Sequence, residues 1–252
     1  MFEDGRSKRV IFVSHCILNQ NAKIDGCAHY RGSIREVADL ILRSGCGVVQ
    51  IECPEIMYLG LDRQVVPGLQ RTIESEDTRV AELMEGEAGR TYCRDIASRV
   101  VHQMEQYVRS GFSVVGVLGV NGSPTCGVET GWRADGEVAE PGVLIRELQA
   151  ACQQRGLSVP IRGIKAEDPE GAVRAAREVL GAAVPFQGGS AMKPAVLVTI
   201  CILSLIALGH VLRLVFGVGV TVGALVIPMW ASIPAVVGLA ALAVWLWEEQ
   251  KK

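Results

Sequence analysis

The sequence predicts an α/β fold, a Rossmann-like parallel sheet with helices on both faces, followed by a transmembrane hairpin of two helices. Three observations predict it. Short apolar, β-branched runs alternate with longer helix-patterned stretches across residues 1–183, the rhythm of βα units. The runs are continuously apolar rather than alternating, as in strands covered by helices on both faces. Charge then nearly vanishes: between Pro194 and Trp247 the only formal charge is Arg213, over a length no soluble surface tolerates.

The first strand is Arg9-Val10-Ile11-Phe12-Val13-Ser14, apolar after a charged entry. Similar runs predict strands at 48–52, 114–120 and 159–164. Helical patterns cover 33–44, 94–110, 141–155 and 169–180, and two of them close on Gly45 and Gly156, as helix C-termini often do. Right-handed crossovers between parallel strands make the arrangement Rossmann-like. Residues 184–193 lose helical periodicity, carry Pro, Gly and Ser, and read as a linker. Residues 194–212 and 228–247 each supply the roughly twenty apolar residues that cross a bilayer. His210 and Arg213 fall at the far end of the first span, where basic side chains snorkel, and Trp230, Trp245 and Trp247 sit where interfacial aromatics belong. A helical hairpin buried in a soluble core is the competing reading, but a domain this small has nothing large enough to cover one.

Removing Lys193, Arg213, Lys251 and Lys252 from the 25 basic residues, and Glu248 and Glu249 from the 27 acidic ones, leaves 21 against 25 before the membrane piece. That mild acidity argues against nucleic acid as a partner. The N-terminus runs straight into charge with no apolar signal core, so the eight cysteines are expected as free thiols in a reducing compartment. Lys193, Lys251 and Lys252 flank the spans and outnumber Arg213 in the connection, which predicts a cytoplasmic-membrane protein with its soluble domain on the cytoplasmic side and lipid as a partner.

Three cysteines stand just beyond predicted strands: Cys16 in Ser14-His15-Cys16-Ile17-Leu18-Asn19, Cys53 in Cys53-Pro54-Glu55, and Cys126 in Ser123-Pro124-Thr125-Cys126-Gly127. In open parallel sheets ligands bind in the crevice at the carboxyl ends of the strands, so these thiols are expected to converge there. Gly122, Pro54, Pro124 and Gly127 supply the tight, irregular backbone of a binding loop. Cys27, Cys46, Cys93 and Cys152 lack that context, and Cys201 lies in the first span. Spacing alone is equally compatible with plain buried thiols: there is no CxxC, and no structural zinc pattern fits.

These three segments, with Asp25-Gly26 after the first and Leu59-Gly60-Leu61-Asp62-Arg63 after the second, resemble the motifs of the thiouracil desulfidases and their relatives. The resemblance covers roughly 9–165, excludes the apolar tail, and places the chain in a distinct subgroup. It implies a [4Fe–4S] cluster held by Cys16, Cys53 and Cys126, with Glu55 and Ser123 as the catalytic pair. Soluble members carry a second cysteine before a Tyr-Asp-Gly where this chain reads Ala22-Lys23-Ile24-Asp25-Gly26, and Cys27 is the one nearby replacement.

The implied chemistry is physically coherent. Three thiolates leave one iron open to an outside ligand as a Lewis acid, and a soft thiocarbonyl sulfur suits it. Water then replaces sulfur on the carbon, with Glu55 as base and Ser123 relaying a proton or orienting the substrate. The expected activity is a desulfidase acting on a small thiocarbonyl compound. The alternatives are a sulfur-transfer enzyme passing sulfide to an acceptor, and a membrane-tethered iron–sulfur sensor, which has no need of the carboxylate and hydroxyl. Plain structural roles stand beside each assignment. Glu55 also fits a helix start, Ser123 a turn, His15 a backbone-satisfied residue and His102 a helix face, while Arg63 and Asp25 either fix a ligand or pair with each other.

Overall fold

The computed structural model describes residues 4–65, 67–68, 70–134, 136–181, 194–223 and 225–249. The chain divides into two compact units, Met1–Gln187 and Gly188–Lys252. The predicted linker, 184–193, lies outside the described residues.

The first unit is built on a four-stranded parallel sheet in the order β2-β1-β3-β6, from β1 (Arg9–Ser14), β2 (Gly47–Ile51), β3 (Ser113–Val120) and β6 (Ile161–Ile164). Successive side chains on β1 go to opposite faces, and each face has its own core. Val10 and Phe12 pack with residues of α4 (Ile73–Glu85), α5 (Glu87–Arg109) and α6 (Val143–Gln154). Ile11 and Val13 pack with residues of α2 (Arg35–Arg43) and α7 (Pro169–Gly181). This is the predicted α/β architecture with helices on both faces. Ile11, Phe12 and Leu118 are fully buried, each contributing on the order of 1.5–3 kcal/mol of apolar transfer energy. Burial is complete only on the inner strands, whereas β2 at the sheet edge is half covered and exposes Gln50.

The structure adds elements that the sequence did not announce and extends one that it did. Helix α4 opens on a reciprocal cap between Thr72 and Ser75, but its apolar face is short, Val80, Ala81 and Met84 among many charges. Helix α5 starts well before residue 94 because Gly89 lets it lie against the end of α4: a Cβ there would meet Leu83 O at 2.6 Å and Met84 Cα at 2.7 Å. An antiparallel pair, β4 (Gly131–Arg133) and β5 (Gly136–Val138), follows the loop after β3. Two short helices close the strand ends, α1 (His15–Leu18) after β1 and α3 (Pro54–Leu59) after β2.

The second unit is a helical hairpin, α8 (Pro194–Phe216) packed on α9 (Ser232–Glu249), joined through β7 (Val220–Val222) and β8 (Leu225–Ile227). Val198–Phe216 and Met229–Trp247 are long and apolar enough to cross a membrane. Large side chains such as Leu205, Val215, Val237 and Trp245 stay exposed within the unit, as a lipid-facing surface requires. Arg213 does not extend freely away from the hairpin. Its Nε donates to Val218 O at 3.1 Å, Nη2 to Ile227 O at 2.6 Å and Nη1 to Ser232 Oγ at 3.3 Å, so the guanidinium ties the connection to both helices.

Candidate functional site

The site follows from the strand order. Chain connections leave β1 toward β2 on one side and β3 on the other, and such a switch point opens a crevice at the carboxyl ends of the central strands. Cys16 lies in α1 just beyond β1, Cys53 precedes α3 just beyond β2, and Cys126 lies in the loop beyond β3. All three line one cavity of about 100 Å³. Glu55 and Ser123 line it as well, so the five residues singled out in the sequence meet.

The loop carrying Cys126 is held by its own backbone. Gly122 has φ +75°, the left-handed region that favours glycine, and a Cβ on Gly127 would stand 2.7 Å from Ser123 O. Ser123 Oγ accepts the amides of Thr125 at 3.3 Å and Cys126 at 3.1 Å. Two amides occupy the acceptor capacity of the hydroxyl and leave its proton to offer. Ser123 is therefore a turn former that can donate into the cavity, and it is poorly placed to receive a proton and relay it.

Glu55, on the first turn of α3, is buried at 7 % exposure, and Arg63, at 2 %, is its partner. Arg63 Nε and Nη2 both reach Glu55 Oε2 at 3.3 Å, and no described residue donates to Oε1. The same guanidinium donates to Leu61 O at 2.6 Å and to Ala22 O, binding the loop after β1 to the loop after α3. Arg63 has φ +52°, and its carbonyl accepts from Arg79 Nη1 at 2.7 Å, which fixes that strained turn to α4. The sequence left Arg63 and Asp25 either to fix a ligand or to pair with each other; the ion pair of Arg63 is instead with Glu55, and Asp25 is exposed.

Burial pushes the Cys16 thiol up to about 11 and, with Glu55 adding to it, the Cys53 thiol to about 12. Burial also drives the Cys126 thiol well above its ordinary value, and the neighbouring Cys53 and Cys16 reinforce the shift. Three thiols that line one cavity and are this reluctant to ionise are poor nucleophiles, and a bound metal would supply the positive charge that favours their thiolates. That donor set fits a soft, thiolate-held metal group. Among the described residues, no three of His, Cys, Asp and Glu stand close enough to share a single metal ion. A cubane distributes its thiolates over separate irons and needs them farther apart than one ion does.

Two more residues line the cavity that sequence reasoning did not place there, Lys23 and Asp77, and beside them stands Cys27, the nearby replacement named from the sequence. Cys27 was set apart for want of a strand before it, yet the loop after α1 folds back and brings it to the same cavity as Cys16. Asp77 could not be found because nothing in the sequence marked α4 as an element. Its carboxyl is raised to about 7 by burial and by Glu55, against the opposing effect of Lys23. His15 stays outside the cavity lining: its ring nitrogens meet the side-chain amides of Asn19, at 3.2 Å, and Gln50. His102 is exposed on α5, as its pattern suggested, and Cys93 and Cys152 are buried within helices.

No family model and no solved structure matches the chain. An uncharacterised protein of Methanocaldococcus jannaschii is 29% identical over 123 residues, spanning 49% of this chain and 70% of that protein. The chain is thus similar to a protein whose description carries no activity, and its function has to be argued from the cavity.

Proposed function

We propose that the α/β unit is an iron–sulfur desulfidase that hydrolyses the C–S bond of a small thiocarbonyl compound. One observation carries the reading: Cys16, Cys53 and Cys126, from three separate strand ends, line one cavity with Glu55 and Ser123. The three thiols would hold a [4Fe–4S] cluster. Such a cluster, when bound by three thiolates, supplies a soft Lewis acid with one position free for a thiocarbonyl sulfur.

The protein's own groups do the rest. Arg63 fixes Glu55 through Oε2, which leaves Oε1 to take a proton from the attacking water. The Ser123 hydroxyl, its acceptor sites taken by two amides, donates to the substrate and orients it. The half-buried cavity limits bulk water. In the sum of the reaction, thiocarbonyl and water give carbonyl and hydrogen sulfide, so no electron leaves or enters.

The apolar hairpin anchors this unit to a membrane. Lys193, Lys251 and Lys252 flank its spans against the single Arg213 between them, which supports a cytoplasmic placement of both ends. Protease should then reach the α/β unit in inverted vesicles only, and cleavage in intact spheroplasts would overturn the orientation.

The activity is tested with protein reconstituted without oxygen and offered thiolated pyrimidines and other small thiocarbonyls. Oxo product and sulfide should appear in equal amounts. Glu55→Gln should keep its iron and slow turnover by about a hundredfold or more, the usual range for a positioned acid–base group. A cluster that binds sulfide yet turns over none of the panel would instead identify a sensor.

A further inference from the structure

Lys23 and Asp77 both line the cavity, and neither side chain makes a hydrogen bond or an ion pair with any described residue. The neighbouring carboxylates have cation partners. Glu55 is taken by Arg63, and Glu76 by Arg79 at 2.7 Å. Unpaired charge on the wall of a half-buried cavity is unfavourable unless water or a ligand completes it, and it marks binding sites more often than structural ones.

Both residues are also fixed in place. Asp77 sits on α4, whose start is capped by Thr72 and whose Thr78 hydroxyl accepts the Trp132 indole N–H at 3.0 Å. The Lys23 amide bonds to Gln20 O at 3.1 Å, and the preceding carbonyl, Ala22 O, is held by Arg63. Across the loop, the Ile73 side chain lies against Gly26, so the segment carrying Lys23 and the helix carrying Asp77 are packed together. Backbone held this way presents both side chains from fixed positions, which lowers the ordering cost of recognising a ligand.

We propose that Asp77 and Lys23 form the recognition wall of the cavity, Asp77 accepting an N–H of the bound molecule and Lys23 donating to an acceptor atom beside that N–H. The ligand class is a small molecule with adjacent donor and acceptor on one edge. This inference takes the cavity to be the substrate site, as the desulfidase reading does. The groups around Asp77 agree with it. Glu55 from α3, Glu74 and Glu76 from its own helix, and Cys27 and Lys23 from the loop surround it, and burial with Glu55 brings its carboxyl close to neutrality. At pH 8 it is an acceptor.

The test is equilibrium binding to the full chain in detergent at pH 8, by calorimetry, with 4-thiouracil and its 3-methyl derivative, in which the N–H between the two acceptors is blocked. The native chain should bind the N–H compound about tenfold or more tightly, the cost of a buried carboxylate left unpaired. Asp77→Asn should lose most of that discrimination and Asp77→Glu should recover part of it. Lys23→Met should weaken both compounds and keep the discrimination, and Lys23→Arg should restore affinity. Binding of neither compound, or full discrimination in Asp77→Asn, would overturn the inference. Sulfide measured in the same samples separates the two claims. Discriminating binding without sulfide would refute the desulfidase and leave the wall standing, whereas turnover indifferent to Asp77 and to N-methylation would do the reverse.

Discussion

Replacing Arg63 with alanine strands a buried carboxylate. Glu55 would lose both guanidinium contacts to Oε2, and Leu61 O and Ala22 O would lose their donor in a region where Arg63 itself is 2 % exposed. Breaking a buried pair from one side costs about 3–5 kcal/mol, and the orphaned carbonyls push toward the upper end of that range. At roughly 1.4 kcal/mol per tenfold, the folding equilibrium should shift by about a thousandfold. Removing both charges at once, as Arg63→Met with Glu55→Met, should recover the part due to the stranded carboxylate, because two apolar side chains leave no ion uncompensated, and keep only the cost of the two orphaned carbonyls. Urea unfolding of the full chain in detergent measures it, followed by Trp132 emission with Trp230, Trp245 and Trp247 replaced by Phe. A cost below about 1 kcal/mol for Arg63→Ala, or a double variant as unstable as the sum of the singles, would show that Arg63 does not hold Glu55 as described.

Other outcomes follow from the same geometry. Asp77 has a folded value of about 7 against an ordinary 3.8, so its contribution to stability is complete below about pH 4 and is lost as pH rises through about 7. Asp77→Asn should therefore gain Tm relative to the native chain between pH 5 and pH 8, and a constant difference would refute the shift. The Cys16 thiol, raised from 9.0 to about 11, has about a hundredfold less thiolate at neutral pH than an ordinary thiol. Timed iodoacetamide labelling of metal-free protein should find it correspondingly slow, and ordinary reactivity would mean that it is not buried. A chain ending at Val184 should be soluble without detergent and keep its circular dichroism, while the full chain should need detergent. Unfolding of the shortened chain would make the hairpin part of the core.

Much of this could be read from residue order alone, and the exceptions have physical causes. The inner strands announced themselves because Val10 to Val13 and Val114 to Val120 are buried on both faces and leave no polar position in the run. Cys16, Cys53 and Cys126 were legible as a group because a parallel sheet sends all its strand ends to one rim, so position after a strand amounts to position in space. Helix α4 was not legible: Glu74, Glu76, Asp77, Arg79 and Glu82 dominate its composition, and Val80 and Met84 make too narrow a stripe to announce a helix. Asp77 was lost with it. The partner of Glu55 was undecidable because Arg63 reaches it only through a left-handed turn, at φ +52°, that no side-chain pattern encodes. Cys27 was named only as a replacement because no strand precedes it; its loop turns back toward α4 by way of Gly26, at φ +85°.

The central claim is that Cys16, Cys53 and Cys126 together hold an iron–sulfur group in this cavity. Reconstitution of the full chain without oxygen, followed by iron and acid-labile sulfide analysis, tests it directly. About four irons and four sulfides per chain should be found, and each of Cys16→Ser, Cys53→Ser and Cys126→Ser should lose most of both, since a hard hydroxyl replaces a thiolate poorly. Cys46→Ser, Cys93→Ser and Cys152→Ser should load like the native chain. Native protein that takes up no iron, or iron retained in full by all three cavity variants, would contradict the account.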